Sequence, residues 1–385
     1  MASQRVVIFD TTLRDGEQSP GINLSPHDKI ELAEALQALR VDVIEAGFAA
    51  SSESDFTAIR EVASRIKDCT VCSLSRAVER DIELTAQAVR SAPSGRIHIV
   101  LATSALHMKY KLQQEPEQVL EQAVHAVRFA RRFSDNIEFS CEDASRSDFP
   151  FLARLVDAVI CAGATTVSLP DTVGVAVPEE YGGLLRRLIA EVPSADRAVF
   201  SAHCHDDLGL AVANSLAAVH AGARQIECTI NGIGERAGNA SLEEIVMALR
   251  TRAEYFGLHT GIKTDRLVPT SALVARRTGF PVPPNKAIVG RNAFMHESGI
   301  HQDGMLKNPL TYQIMMGKDV GWPDYQLVLG KHSGRNGYSA RMKRLGVNFS
   351  SDAALNSAFH RFKKLADSKR HLEDADLLTT IGDDL

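Results

Sequence analysis

The chain has 385 residues, 44% of them hydrophobic, and a formal net charge of −5 at pH 7. This length and apolar content suffice for one large core with a smaller appended unit. The acidic balance argues against nucleic acid or an anionic membrane surface as the main partner. No apolar run approaches the ~20 residues of a membrane-spanning helix, and the N-terminal residues pass into a strand-like run without a signal peptide. The sequence therefore predicts a cytoplasmic protein.

Short β-branched runs alternate with longer helical patterns along the first part of the chain. The strand-like runs lie near 6–12, 41–48, 69–75, 96–103, 136–142, 165–170, 198–205 and 225–231. Helix signals fill the intervals: Ser25 followed by Pro26, for example, is typical of an N-cap and a first helical residue. Eight consecutive βα units favour a TIM (β/α)8 barrel, with an open doubly wound sheet as the alternative.

The pattern changes after Thr264, where prolines become frequent and the alternation of strand-like and helical patterns stops. We expect three segments: a barrel over 1–264, a loop-rich linker with short helices over 265–325 and a helical subdomain over 326–385. Residues 335–371 carry the helical signal, since Leu355, Phe359 and Phe362 recur at i, i+4 and i+7.

Two histidines, His203 and His205, end the seventh strand-like run. Residues i and i+2 of a strand point to the same face, so both imidazoles can reach one metal ion, although ordinary hydrogen-bonded histidines are the alternative. Asp15 follows the first run and Asn239 the last, and these two strands are neighbours in a closed barrel. This nitrogen and oxygen set without a thiolate suits Zn, Mn, Mg or Co in an open site.

Other polar residues lie in or directly after the strand-like runs, toward the barrel end where active sites lie. They include Arg14, His98, Glu142 and Thr172. Each of these residues alone could equally be a helix cap or a hydrogen-bonded core residue. A site is indicated because all of them lie at the same rim of the barrel. The glycines near 232–238 match neither a dinucleotide fingerprint nor a P-loop, so they predict a tight backbone turn.

Long motifs resemble the homocitrate and 2-isopropylmalate synthase family. They are FDTTLRDGEQ at 9–18, HCHDDLGLAVAN at 203–214 and NGIGERAGNA at 231–240. The strings at 72–76, 137–144 and 296–304 are similar to the 2-isopropylmalate branch of that family in particular. The resemblance spans essentially the whole chain.

The resemblance implies a Claisen-type condensation of acetyl-CoA with 2-oxoisovalerate, giving 2-isopropylmalate and CoA in the first step of leucine synthesis. It implies a divalent metal (Mn, Mg, Zn or Co) and leaves open a monovalent cation as activator. The implied metal ligands are Asp15, His203, His205 and, more weakly, Asn239. The implied catalytic residues are Arg14, Glu142 and His301. The implied 2-oxo acid contacts are Arg14, His98, Ser140 and Thr172, with Tyr325 a loose match. The implied acetyl-CoA region is Asn231, Gly232, Gly234, Glu235 and Arg236.

Family members commonly form homodimers in which the segment around His301 reaches the neighbouring barrel, so a homodimer is expected. Full-length members usually continue with a leucine-binding domain, whereas this sequence stops at Leu385. We therefore expect no leucine inhibition of this polypeptide.

Two alternatives stay open on the sequence, and two further enzyme classes are disfavoured by it. Homocitrate and citramalate synthases run the same chemistry on 2-oxoglutarate or pyruvate. A hydroxymethylglutaryl-CoA lyase carries a catalytic cysteine in the glycine loop, where this chain has Glu235 and Arg236. A biotin-dependent carboxyltransferase needs a lysine in the barrel mouth, and strands five and six supply none. An inactive metal-binding scaffold is the non-enzymatic alternative.

Overall fold

A computed structural model describes residues 4–323, 326–369 and 372–382. It contains two compact units, residues 1–282 and 283–385. Among the described residues, no helix has both the length and the apolar character needed to cross a bilayer.

The first unit is built around eight parallel strands. They are β1 Val7–Asp10, β2 Val43–Phe48, β3 Thr70–Arg76, β4 Gly95–Ala102, β5 Ile137–Glu142, β6 Thr166–Asp171, β7 Val199–Cys204 and β8 Gln225–Cys228. Each strand pairs with the next, and β1 also pairs with β8, where Phe9 lies opposite Glu227. The sheet is therefore a closed barrel, which confirms the TIM-barrel prediction and rules out the open sheet.

Among the described residues, seven longer helices connect successive strands and an eighth follows the last strand. They are α1 Pro26–Leu39, α2 Glu53–Arg65, α3 Glu79–Val89, α4 Pro116–Ala130, α5 Phe149–Ala162, α6 Pro178–Glu191, α7 Ala211–Ala221 and α8 Leu242–Thr251. The predicted start of α1 is confirmed, because Ser25 and Asp28 form a reciprocal capping box in front of Pro26.

Strand β8 ends three residues earlier than the predicted 225–231. Ile230–Gly232 is a 3-10 turn in which Asn231 and Gly232 have φ of 64° and 69°. This left-handed backbone cannot continue a strand, so the chain turns across the barrel rim.

The first unit extends beyond the predicted boundary at residue 264. Helix α9, Leu267–Thr278, buries Leu267 and Val274, and its Arg277 pairs with Glu31 of α1. Because this helix packs on the barrel's first helix, the boundary between the compact units falls after Val282.

The second unit is mainly helical in its C-terminal half. Its helices are α10 Gly299–Lys307, α11 Arg335–Arg344, α12 Asp352–Ser368 and the short Asp374–Leu378. Tyr338 of α11 stacks on Phe362 of α12 in a buried cluster that also holds Leu355. The helical signal over 335–371 is thus two helices, interrupted where Gly346 has φ of 83°. The expected division at 325/326 borders residues outside the described ranges and stays a prediction.

Candidate metal centre and active site

Three predicted ligands meet at the C-terminal end of the barrel. Asp15 lies on the loop after β1, His203 is in β7, and His205 directly follows that strand. The Nε2 atoms of the two histidines are 3.0 Å apart, and Asp15 Oδ2 lies 3.6 Å from the first and 3.5 Å from the second. All three residues are buried. The set therefore places two imidazole nitrogens and one carboxylate around a single point, as an open divalent-metal site requires.

The fourth predicted ligand, Asn239, has a buried side-chain oxygen with no hydrogen-bond partner in the structure. Its Nδ2 donates to Asp15 Oδ1 at 3.0 Å, which leaves that carbonyl oxygen unused at the same place. A buried acceptor without a donor is costly unless a cation or water satisfies it. The donor set thus fits a divalent ion, and Asn239 fits as a weak ligand or as a support for Asp15.

The charges around Asp15 keep it ionised. Burial alone would raise the pKa of this carboxyl, but the Arg14 guanidinium and the two histidines hold it well below its usual range. The two histidines differ from one another. Burial lowers the pKa of both, but Glu227 raises that of His203 above its ordinary value, whereas the pKa of His205 stays lowered.

His203 is oriented by a buried carboxylate that the sequence analysis did not select. Glu227 of β8 accepts from His203 Nδ1 at 3.0 Å and also from Ser201 at 3.0 Å. Burial would raise the pKa of Glu227, but the charge and hydrogen bond of His203 lower it to about 2. In the neutral imidazole the proton therefore sits on Nδ1, and Nε2 is free to face the metal.

Replacing Glu227 with Gln is expected to weaken Mn²⁺ binding by about tenfold to a hundredfold, because the charge that orients and polarises His203 is lost. Isothermal titration with Mn²⁺ measures this. The matched control is Glu138→Gln, which removes an equally buried barrel carboxylate that bonds Arg96 and Gln225 instead. Equal affinities of the wild type and the Glu227 variant would refute this role.

Arg14 and His98 are held by a second unselected carboxylate, Glu45 of β2. Glu45 accepts from Arg14 Nε at 2.6 Å and from His98 Nδ1 at 2.7 Å. Burial lowers the pKa of Arg14, but the charges of Glu45 and Asp15 raise it above its ordinary value. His98 Nε2 is buried without a hydrogen-bond partner in the structure. Both side chains line the cavity beside the metal ligands, so each can meet a substrate there.

That cavity has a volume of about 310 Å³ and adjoins the metal ligands. It brings together Arg14, His98, Ser140, Glu142, Thr172, Glu235 and Arg236 from the sequence predictions. Its apolar wall consists of Leu74, Val100 and Pro170. The Thr172 hydroxyl accepts from the backbone N–H of Asp143 at 2.9 Å, which fixes that side chain.

Glu142, at the end of β5, is paired with a residue that the sequence analysis missed. Lys111 Nζ lies 2.6 Å from Oε1 and 2.8 Å from Oε2 of Glu142. Both residues line the cavity, so the candidate base carries a paired cation within it.

The predicted acetyl-CoA residues in and beside the glycine loop at 232–238 fall into two groups, those that build the scaffold and those that line the cavity. A Cβ on Gly234 would lie 2.1 Å from Asn239 Nδ2, so only glycine allows this close approach. Asn231 donates to the carbonyl oxygen of Ser271 in α9 at 3.1 Å, which makes it part of the scaffold. Arg236 holds Asp207 with two hydrogen bonds and reaches His205 Nδ1 at 2.8 Å. Asn231, Gly232 and Gly234 are not among the residues that line the cavity.

His301 belongs to α10 of the second unit, where its ring lies 4.2 Å from that of Tyr312. Its catalytic role stays a prediction. Tyr325 lies outside the described residues.

Comparison with known proteins decides the family. The HMGL-like family profile matches residues 5–274, and a homocitrate synthase post-HMGL domain-like profile matches 288–370. The 2-isopropylmalate synthase of Dechloromonas aromatica is 59% identical over 382 residues, which are 99% of this chain and 74% of that protein. The chain belongs to the 2-isopropylmalate synthase family. The enzyme of the same name from Methylococcus capsulatus is 59% identical over 98% of this chain and 73% of its own length.

Solved structures agree on the fold. The hydroxymethylglutaryl-CoA lyase of Pseudomonas aeruginosa matches with a TM-score of 0.63 at 22% identity, covering 73% of this chain and 96% of its own. The carboxyl transferase domain of Rhizobium etli pyruvate carboxylase matches with a TM-score of 0.56 at 16% identity, covering 95% of this chain and 56% of its own. The family shown by the close relatives confirms the resemblance drawn from the sequence motifs.

Proposed function

We propose that this chain condenses acetyl-CoA with 2-oxoisovalerate and hydrolyses the thioester, releasing 2-isopropylmalate and CoA. The observation that carries the proposal is the buried Asp15, His203 and His205 set, with Arg14 beside it in one small cavity. A 2-oxo acid offers a carboxylate and a keto oxygen, which suit a divalent ion and a guanidinium together.

Asp15, His203 and His205, supported by Asn239, would hold the ion, which would supply Lewis-acid polarisation of the keto carbonyl. We propose no specific metal. Arg14 hydrogen-bonds Asp15 through Nη1 at 2.8 Å and Glu45 through Nε, which fixes the guanidinium plane beside the ligand set. A fixed cation at this place stabilises the negative charge that develops on the keto oxygen as the new carbon–carbon bond forms.

Glu142 is the group we propose to take the proton from the acetyl methyl group. It lines the same cavity as Arg14, and its side chain is 20% exposed. His301 is the second candidate for acid–base work, supported by the sequence resemblance alone. Glu235 and Arg236 line the cavity and are proposed to lie along the path of the coenzyme.

The cavity wall favours a branched aliphatic side chain over a second carboxylate. Leu74, Val100 and Pro170 offer apolar contact for an isopropyl group. The arginines and the lysine that line the cavity each pair already with a carboxylate of the chain. These pairs are Arg14 with Glu45, Lys111 with Glu142, and Arg236 with Asp207. A 2-oxoglutarate carboxylate would have to compete with them, which supports 2-oxoisovalerate as the substrate.

The test compares 2-oxoisovalerate, pyruvate and 2-oxoglutarate in the release of CoA thiol from acetyl-CoA, with product identification by mass spectrometry. We expect kcat/KM for 2-oxoisovalerate to exceed the others at least tenfold, since a few apolar contacts discriminate by about 1–3 kcal/mol. A preference for either other acid would overturn the substrate assignment. Absence of thiol release with all three acids would favour the inactive scaffold.

We also propose a homodimer assembled through the segment that contains α10. Ile300, Leu310 and Ile314 are 77%, 74% and 81% exposed, an unusual concentration of large apolar side chains. The family resemblance favours a second copy of this chain as the partner that covers these side chains. The cytoplasmic location expected from the sequence stays a prediction.

Replacing Ile314 with Asp is expected to shift the protein from dimer toward monomer in sedimentation velocity, because a charge would have to be buried at the interface. The control is Leu378→Asp, which alters another exposed apolar residue of the second unit. A wild type that sediments as a monomer at micromolar concentration would contradict the dimer.

A further inference from the structure

We infer that Lys111 is a positioning residue for Glu142, held over the active site by a π-helical turn. The inference deepens the proposed function and rests on it, because it takes Glu142 as the base. None of the sequence motifs contains Lys111.

The turn that carries Lys111 has an unusual backbone. Met108–Leu112 form a π-helical segment between β4 and α4, closed by a hydrogen bond from Gln113 N–H to the Met108 carbonyl oxygen. Gln113 has φ of 55°, a left-handed conformation that costs energy for a residue with a side chain. π-helical turns occur often at functional sites, where an extra residue redirects a side chain.

The turn is anchored so that its cationic residue faces the cavity. Met108 is buried and ties the turn to the barrel, and Ser104 caps the short helix in front of it. Lys109 and Tyr110 are exposed and contact each other, with Lys109 Nζ 5.2 Å from the Tyr110 ring. Lys111 is exposed as well, with 53% of its side chain accessible, but it lines the cavity and contacts Glu142.

The contact with Glu142 is made to both carboxylate oxygens. Nζ lies 2.6 Å from Oε1 and 2.8 Å from Oε2, so one ammonium group fixes the rotation of the whole carboxylate. His107, from the same loop, lies 3.5 Å from Oε1 on another side. The Lys111 side chain is half exposed, so the ion pair adds little to the stability of the fold. Its effect is to fix the orientation of the Glu142 carboxylate.

A base must be aligned with the proton it abstracts, and a small misplacement of a catalytic group costs up to about a hundredfold in rate. The Glu142 side chain is 20% exposed, so without a partner its carboxylate could turn away from the cavity toward solvent. The contacts of Lys111 with both of its oxygens hold it in one orientation.

The experiment measures kcat and both KM values for Lys111→Met, Lys111→Arg and the control Lys109→Met. We expect Lys111→Met to lower kcat at least tenfold, with KM for the 2-oxo acid and Mn²⁺ affinity unchanged within twofold. Lys111→Arg should recover most of the loss, because it restores a cation with paired donors. Lys109→Met, which replaces an exposed lysine of the same turn, should behave as the wild type.

A double-mutant cycle with Glu142→Gln separates positioning from direct substrate binding. If Lys111 acts through Glu142, its replacement has little further effect on kcat in the Glu142→Gln background. An unchanged kcat in Lys111→Met, or an effect confined to KM for acetyl-CoA, would overturn the inference. A wild type without CoA release from any 2-oxo acid would instead overturn the proposed function, so the two failures are distinguishable.

Discussion

Replacing Asp15 with Asn is expected to lower Mn²⁺ affinity by at least about a hundredfold and to reduce CoA release to a similar or greater extent. Asp15 is the anionic member of the ligand set that meets at the barrel rim, and the neighbouring Arg14 keeps its pKa well below the usual range. An amide keeps the shape and a neutral oxygen but removes the charge that pairs with the ion. Isothermal titration and electron paramagnetic resonance of free Mn²⁺ both report the loss.

The control for this variant is Glu17→Gln, two residues further along the same loop. Glu17 pairs with Lys29 Nζ at 2.6 Å and accepts from the Leu24 N–H, so it supports the loop without facing the metal. Its Mn²⁺ affinity should match the wild type within twofold. Retention of full affinity by Asp15→Asn would show that the ion binds elsewhere.

Replacing Arg14 with Lys is expected to lower kcat by about a hundredfold to a thousandfold, the usual cost of removing a donor to a developing oxyanion. The guanidinium uses Nε for Glu45 and Nη1 for Asp15, and Nη2 has no partner among the described residues. A lysine ammonium cannot hold both carboxylates and still present a fixed donor to the substrate. Steady-state kinetics under saturating Mn²⁺ measure the effect.

Mn²⁺ affinity separates this role from a structural one. Lys at position 14 keeps a positive charge beside Asp15, so Mn²⁺ affinity should stay within about fivefold of the wild type. Arg5→Lys is the matched control, because Arg5 pairs with Asp42 in front of β1, away from the cavity lining. If Arg14→Lys retained at least half of the wild-type kcat, Arg14 would not be the oxyanion donor.

The meeting of the candidate metal ligands could be predicted from sequence because barrel closure makes strand ends converge. Asp15, His203 and Asn239 are far apart in the chain, yet β1, β7 and β8 are adjacent in the barrel. The strand periodicity placed His203 and His205 on one face, and the 3.0 Å between their Nε2 atoms agrees with it.

The supporting carboxylates were missed although the sequence carries a signal for them. Glu45 interrupts the otherwise apolar strand VIEAGF, Glu227 lies in the four-residue strand QIEC, and both are buried. A buried carboxylate needs a partner, so such interruptions predict a polar network inside the barrel. Which partner each one meets depends on the stagger of the strands, and a single sequence does not specify that stagger.

Helix α9 falls where the sequence predicts a loop-rich linker with short helices, but its place in the barrel unit was not predicted. Pro269 lies in the first turn of α9, where a backbone N–H has no helical partner to lose. The π-helical turn at Met108–Leu112 has no composition that distinguishes it from an ordinary helix start. Lys111 could therefore not be separated from the exposed Lys109 before the structure was known.

The central claim is that the Asp15, His203 and His205 site holds the divalent ion that lets a 2-oxo acid react. Metal-stripped protein, assayed for CoA thiol release from acetyl-CoA with and without 2-oxoisovalerate, tests it most directly. We expect background release without metal and restored release on addition of Mn²⁺ only when the 2-oxo acid is present. Release that is independent of either the metal or the 2-oxo acid would contradict the account.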